Sequence, residues 1–560
     1  MNNDTSVRRD SGVFLCSGSA TETKPAGREQ LYVDEALDGL RTARALRNYK
    51  VRMTSHQTMM IRMFIGRCRR LALGGLTLLA VVSTSVSADA YSLPDMGSSS
   101  DSMMTRSAEA RLGKLFMRSV RSALPVMDDP LATSYIESLG TALVESDRTA
   151  GGSFTFFLID EPVVNAFAGP GGYIGIYAGL ILAAQTESEL AAVMAHEIAH
   201  VTQRHLMRSF EDQSKLSLPT TALLIAAAIL GAQVSPDAGM AAIAGVQAAA
   251  LQRQINFTRD NEKEADRIGI QTLAGAGHDP FAMAGFFERL AKATRVYESS
   301  APEFLRTHPV TADRIADSLG RAEGFGARQR ADSLRFQLTR AKLRERSYRR
   351  AEQSVAHFED TLGGGRFREE IAERYGYALA LQRARRFTDA KRESDTLIAA
   401  HPSQAEFIVL DAELDLALGK GTEALAHLKQ AVSLFPSQWP LRVAYADALM
   451  SAGEPARALD ELKAVARVRP ANALLYEMIV QAATKAGDQA DVDRYRAEKL
   501  YVEGDLEPAI RQLEMALRRR NVPYHDAAQI QVRLDAWREE GREEKKRGGN
   551  PLRAAPLSAR

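Results

Sequence analysis

Cysteine is almost missing from this chain. Of 560 residues only Cys16 and Cys68 carry a thiol. Both precede the first stretch with folding signals, so neither a disulfide framework nor a cysteine metal site is available further on. An excess charge of either sign is missing as well. Lysine and arginine total 72 against 70 acidic residues, a net charge of +2, which offers no electrostatic footprint for a nucleic-acid partner. Long apolar runs are also absent. Leu71–Val82 is twelve residues, about 18 Å as a helix against roughly 30 Å of hydrocarbon. The Ala-, Leu- and Ile-rich stretch Leu216–Leu251 is broken between Gly231 and Gly239, and neither half reaches the ~18 residues a span needs. It reads as a packed helical hairpin, a lid over a cleft, or a surface for membrane contact.

The N-terminal third of the pattern predicts export. Arg67-Cys68-Arg69-Arg70 is a basic start, Leu71–Val82 the short apolar core, and Val86-Ser87-Ala88 a small-residue cleavage site. Residues 59–90 are therefore expected to be a cleavable signal peptide, and the mature chain is expected in the periplasm. Cys68 lies before the apolar run, which argues against lipid attachment. Residues 1–58 are untypical ahead of such a signal, and Met59 or Met63 is the expected true start. A charged, Ser-rich linker follows over 91–106.

The chemistry begins at His196-Glu197-Ile198-Ala199-His200, an H-E-x-x-H pattern. Thr186-Glu187-Ser188-Glu189 is a capping box, and Leu190, Val193, Met194, Ile198 and Val201 follow at helical spacing. Neither Pro nor Gly interrupts the segment before about Phe210, so one helix is predicted throughout. On it His196 and His200 stand one turn apart on one face, where both imidazoles reach a single zinc ion, and Glu197 is placed to take a proton from water. His205 falls about 140° away, at the surface or behind a ligand. A third ligand must come from elsewhere. Glu262 and Asp266, at i and i+4 in an acidic helical segment, share a face: one can bind metal while the other orients a histidine. Spacing does not say which does which.

Upstream, Phe154–Ile159 reads as a strand. Asn165–Ala168 and Tyr173–Tyr177 form a hairpin across Gly169-Pro170-Gly171-Gly172. Its edge strand, with Asn165 and Phe167, is a candidate for binding extended substrate through main-chain pairing. The C-terminal half has another rule. Pro402, Pro436 and Pro470 are spaced by 34, as are Gly419, Gly453 and Gly487, and Ala390, Ala424 and Ala458. A small residue inside each period and a proline at its end mark tetratricopeptide helix pairs. A degenerate unit over Tyr348–Phe358 precedes them, and Gly504 with Ala509 and Ala516 opens an atypical last one.

The Asn165–Ile181 hairpin, the HEIAH helix, and Arg259, Glu262, Ala265 and Asp266 in this order resemble the HtpX/BepA-like zinc metallopeptidases. Thr258 stands where that family usually has Ser, Ile176 for Val, and Gly169 where a larger residue is common. The resemblance implies His196, His200 and Glu262 as ligands of one zinc ion per chain, Glu197 as general base and Asp266 as the brace behind a ligand. Arg306-Thr307-His308-Pro309 with Arg314-Ile315 resembles the BepA-like branch, which implies His308 as a fourth ligand that closes the site at rest and leaves when substrate engages.

The expected fold class is an α+β zincin-like metalloprotease, mostly helical with a small sheet, over 107–325. An all-α tetratricopeptide superhelix follows over 331–540, then a tail over 541–560. The resemblance implies a zinc endopeptidase acting on misfolded or stalled outer-membrane proteins, its repeats docking substrate or assembly machinery. A chaperone or scaffold with a silent protease site is the alternative.

Overall fold

The computed structural model describes residues 106–147, 150–209, 225, 259–296, 302–469, 472–519 and 522–546. The expected extension, signal peptide and linker (up to its last residue), the apolar 216–251 segment except Ile225, Pro470, and the tail beyond 546 lie outside them. Among the described residues no helix is long and apolar enough to cross a membrane.

Helix α1 (Arg106–Ala123) leads to strand β1 (Val126–Met127) and helix α2 (Pro130–Ser146). Asp129 caps α2 by accepting from the Ala132 N–H, and Pro130 occupies a first-turn position that has no use for an N–H. Strands β2 (Thr155–Ile159), β3 (Ala166–Ala168) and β4 (Tyr173–Tyr177) complete a sheet in the order β1-β2-β4-β3. β2 runs parallel to β4, and β3 returns antiparallel to it as the outer strand. The hairpin turns where expected. Gly171 and Gly172 adopt φ of 73° and 80°, and a Cβ on Gly172 would stand 2.1 Å from the Ser153 carbonyl oxygen, so glycine is required there.

After α3 (Ala178–Ala183) comes α4 (Glu187–Thr202), the helix that carries HEIAH. The Thr186 hydroxyl accepts from the Glu189 N–H, as the capping box predicts. Buried residues cover every face of α4 from Glu187 to His200, because the sheet and α2 flank it together with the next two helices. The predicted continuation to Phe210 does not occur. The chain breaks at Arg204, whose φ of 53° is left-handed, and resumes as the short α5 (His205–Ser209). The Arg204 guanidinium holds Glu109 on α1 at 3.2 Å, so the break is tied down by an ion pair.

Helix α6 (Arg259–Gly275) packs on α4. Gly269 permits the close approach, since a Cβ there would sit 3.2 Å from the His196 backbone nitrogen. Helices α7 (Ala282–Val296), α8 (Glu303–Thr307) and α9 (Ala312–Glu323) close the unit. Its core joins Leu158, Ile174, Ile176, Leu190, Met194, Phe286 and Phe304.

Helix pairs fill the rest: α10 (Leu334–Ser347) with α11 (Ala351–Gly363), α12 (Glu370–Arg383) with α13 (Phe387–Ala400), and α14 (Ala405–Ala417) with α15 (Gly421–Leu434). Then come α16 (Trp439–Ser451) with α17 (Pro455–Val468), α18 (Ala473–Ala486) with α19 (Gln489–Val502), and α20 (Leu506–Leu517) with α21 (Tyr524–Lys546). The 34-residue period has a conformational cause. Gly419, Gly453 and Gly487 end the first helix of their pairs at φ of 79°, 78° and 78°, the left-handed C-terminal turn that glycine favours. One period earlier Arg385 adopts the same turn at φ of 60°, which is why the pattern fades there in sequence. Ala390, Ala424 and Ala458 are fully buried between paired helices.

The repeats are packed onto the N-terminal unit. Phe336 and Leu343 of α10 belong to its core, and Leu131 of α2 to that of the repeats. Glu187, at the first turn of α4, accepts from the Ser333 hydroxyl at 2.6 Å and its N–H at 3.1 Å.

Candidate metal centre

His196 and His200 project from α4, Glu262 from α6, and His308 from the end of α8. One ligand atom from each lies within 4.8 Å of the others, and all four residues are buried. His196 Nε2 is 3.0 Å from His200 Nε2 and 3.6 Å from Glu262 Oε2, while His200 Nε2 is 3.5 Å from Glu262 Oε1. His308 presents Nδ1 to the cluster, 3.1 Å from Glu262 Oε1, and turns Nε2 toward Glu197 Oε1 at 3.4 Å. Phe304, one turn earlier, stacks on the His308 ring.

Asp266 Oδ1 lies 3.0 Å from His196 Nδ1. That carboxylate is itself held by Arg314, which donates from Nε and Nη2 at 2.8 Å each and reaches Glu262 Oε2 from Nη1 at 2.8 Å. The fourth bond of Arg314 runs to the Pro309 carbonyl oxygen at 2.7 Å, so one buried side chain ties Asp266, Glu262 and the His308 loop together. His205 is buried, not at the surface. The break at Arg204 swings it behind His200, Nδ1 to Nδ1 at 2.8 Å, and its Nε2 meets Glu264 at 3.1 Å. Sequence reading assigned no role to Arg314, although it stood in the pattern after His308, and none to Glu264.

The donor set fits a cation. A carboxylate at His196 Nδ1 keeps the proton on that nitrogen. If His205 Nε2–H donates to Glu264, its Nδ1 must accept from His200 Nδ1–H. With those protons on Nδ1, each ring has a bare Nε2 lone pair, and these two lone pairs face each other at 3.0 Å. Only positive charge reconciles them. The electrostatics agree. Burial pushes the His196 imidazole down, but Asp266 and Glu262 outweigh it and lift it to about 9. Burial raises Glu262, yet the surrounding histidines carry it well below the usual carboxylate range. His200 drops well below normal through burial and the charge of His196.

Glu197 is buried beside the cluster, and its Oε1 has no hydrogen-bond partner among the described residues. Burial lifts its carboxyl above the ordinary value, against the pull of His308, His196 and the Ala168 N–H. Ala168 lies on β3, where Asn165, Phe167 and Gly169 face β4 for pairing, so the Ala166 and Ala168 main-chain groups turn outward. Asn165 and Phe167 stand apart from the cluster. Asn165 Oδ1 accepts from the Ala166 N–H, and Phe167 is buried in aromatic contact with Phe116, Phe157 and Tyr177. Neither side chain faces the cluster, and within β3 only Ala168 is partly exposed.

Residues 130–322 match the family described as peptidase family M48, and residues 415–482 match the tetratricopeptide repeat. The beta-barrel assembly-enhancing protease of Escherichia coli strain K12 is 35% identical over 468 residues, 83% of this chain and 96% of the relative. The chain belongs to peptidase family M48. A putative beta-barrel assembly-enhancing protease of Vibrio cholerae is 49% identical over 255 residues, 46% of this chain and 52% of the relative. The mitochondrial metalloendopeptidase OMA1 of Arabidopsis thaliana is 29% identical over 184 residues, covering 33% and 35%. As an M48 protein the chain is a metalloendopeptidase with a tetratricopeptide module, and the fold class expected from sequence is the one found.

Proposed function

We propose that this chain is an exported zinc endopeptidase of the bacterial envelope that cleaves misfolded or stalled outer-membrane proteins. The observation that carries the chemistry is the buried convergence of His196, His200, Glu262 and His308 on one point beside Glu197. The name of the Escherichia coli relative, matched along nearly its whole length, supports the substrate class.

In this reading His196, His200 and Glu262 hold zinc, whose positive charge, when bound, acidifies water and polarises the scissile carbonyl. Glu197 takes the proton from the attacking water and delivers it to the leaving amine; its raised affinity for protons suits both transfers. Asp266 keeps the proton of His196 on Nδ1, and Arg314 keeps Asp266 charged and in place. The Ala168 carbonyl, at the one half-buried position of β3, pairs with an extended substrate, beside Glu197. His308 occupies the remaining side and contacts Glu197, so the resting site is shut, and substrate displaces it. The repeats dock substrate or assembly machinery.

Zinc analysis, with cleavage of unfolded casein before and after chelation, tests the activity; Glu197→Gln should abolish cleavage and keep the metal. Cleavage by the Glu197→Gln chain at the unsubstituted rate refutes the reading. His308→Ala should change the cleavage rate, and an unchanged rate removes the closed resting site. Whether the repeats work alone as a scaffold is not answered by cutting at 331, because α10 supplies core residues to the catalytic unit.

A further inference from the structure

Among the described residues most arginines are paired with a carboxylate. On α12, Arg374 meets Glu370 at 2.8 Å and Glu393 at 3.0 Å, and Arg383 meets Glu345 at 2.9 Å. One cavity breaks that habit. It lies between α10, α11 and the loop before α12, encloses about 200 Å³, and is lined by Arg340, Arg344, Arg366 and Arg368 among others. Arg340 and Arg344 are one turn apart on α10, so their like charges share a face. Arg366 is paired with Asp360. For Arg340, Arg344 and Arg368 no ion pair exists among the described residues.

The contacts these side chains do make are to neutral groups. Arg340 Nη2 donates to the Leu182 carbonyl oxygen at 3.5 Å, and Arg368 donates to the carbonyl oxygen of Gln185. Arg340 Nε is buried with no hydrogen-bond partner. Burial, and the charges of Arg368 and Arg344, lower the proton affinity of Arg340 against the opposite pull of Asp332 and Glu189. The two carboxylates that line the cavity do not answer them. Glu373 accepts from the Thr361 hydroxyl, and Glu369 caps α12 through the Ile371 N–H. A buried guanidinium nitrogen without an acceptor is costly, and three gathered cations are costlier. An arrangement of this kind is stable in use when an anion completes it.

We infer that this cavity is a carboxylate-binding site for a polypeptide chain, with Arg340, Arg344 and Arg368 as its donors. Planar guanidinium forks match a carboxylate two bonds at a time. A volume of about 200 Å³ admits a carboxylate with a few flanking atoms and is small for a nucleotide-sized ligand. The place is apt as well. Leu182 and Gln185 belong to the short segment that enters α4, so a ligand here bridges the first helix pair and the segment leading into the catalytic helix. The choice of polypeptide as the bearer of the carboxylate rests on the endopeptidase reading above. The carboxylate itself can be a chain terminus or an Asp or Glu side chain.

The test uses the full chain carrying Glu197→Gln, so that binding is read without turnover. Three labelled peptides without other acidic residues serve as probes: one with a free C-terminus, one amidated, and one amidated with a single internal Glu. Fluorescence anisotropy at low salt should show at least one carboxylate peptide binding about tenfold or more tighter than the neutral amide. Which one does so identifies the source. Adding Arg340→Gln and Arg344→Gln should erase that preference, while Arg374→Gln, whose arginine is already paired, should retain it. If the double substitution unfolds the chain, Arg368→Gln on the exposed loop provides the same comparison. Equal binding of acid and amide, or a preference that survives loss of the arginines, overturns the proposal. Casein cleavage by the unsubstituted chain is scored separately, so a failed pocket and a failed enzyme give different results.

Discussion

Arg314 and Arg321 lie on the same helix and each grips an aspartate, at 2.8 Å and 2.7 Å, yet their removal should have very different costs. Arg314 is 3% exposed and Asp266 2%, whereas Arg321 and Asp317 are 40% and 38% exposed. Arg314→Met keeps most of the side-chain volume but strands two carboxylates, Asp266 and Glu262, with their guanidinium partner gone. Breaking a buried pair on one side costs about 3–5 kcal/mol, because the remaining charge cannot regain water. The second carboxylate and the Pro309 carbonyl add to that, though not additively. Arg321→Met breaks a pair that water already screens, worth about 0–1 kcal/mol. With a urea dependence of about 3 kcal/mol per molar, the first loss moves the unfolding midpoint of the catalytic unit by about 1–1.7 M and the second by at most about 0.3 M. Tryptophan is uninformative here, since Trp439 and Trp537 are both in the repeats. Hydrogen exchange of α6 and α9 across a urea series is the suitable assay. Equal shifts for the two substitutions would refute the claim that burial, not pairing distance, sets the value of these bonds.

Three further outcomes follow from other parts of the chain. His205→Ala removes the group behind His200, so zinc affinity measured by chelator competition should fall about 10–100-fold; an unchanged affinity would mean that His200 orients itself. Gly172→Ala places a Cβ against the Ser153 carbonyl at a left-handed position, and should give a chain that melts at clearly lower temperature, whereas an unchanged melting curve contradicts the packing of this turn. Asp447 is exposed, and partial desolvation on α16 together with Glu413 pushes its carboxyl up from 3.8 to about 6. The folded state therefore binds the extra proton between these values, and the stability it brings is full below 3.8 and lost as pH rises through about 6. Because water screens this exposed carboxylate, Asp447→Asn should raise the melting temperature only slightly near neutral pH and change little near pH 4, and a gain of equal size at both would assign the effect to something other than ionisation.

What was legible in the sequence was what local rules write. The capping box at Thr186, the i and i+4 pairing of His196 with His200 and of Glu262 with Asp266, and the glycine turns at a period of 34 all depend on residues a few positions apart. Each reappears in the structure. What was not legible depends on one backbone angle or on distant partners. Nothing around Arg204 forbids a continued helix, and the partner its guanidinium takes, Glu109, is 95 positions away. That single turn moves His205 from the far face of a helix to the back of a candidate ligand. Arg314 was visible as a letter in a pattern, but its partner Asp266 is 48 residues earlier, and no spacing rule reaches that far. The same limit applies to the boundary between catalytic unit and repeats. The 34-residue period is confined to the C-terminal half, so two modules were expected, the second from residue 331. Phe336 and Leu343, written in the helical grammar of the repeats, nevertheless complete the catalytic core. A ligand or partner that moves α10 must therefore disturb the core that α10 shares with α2 and α3.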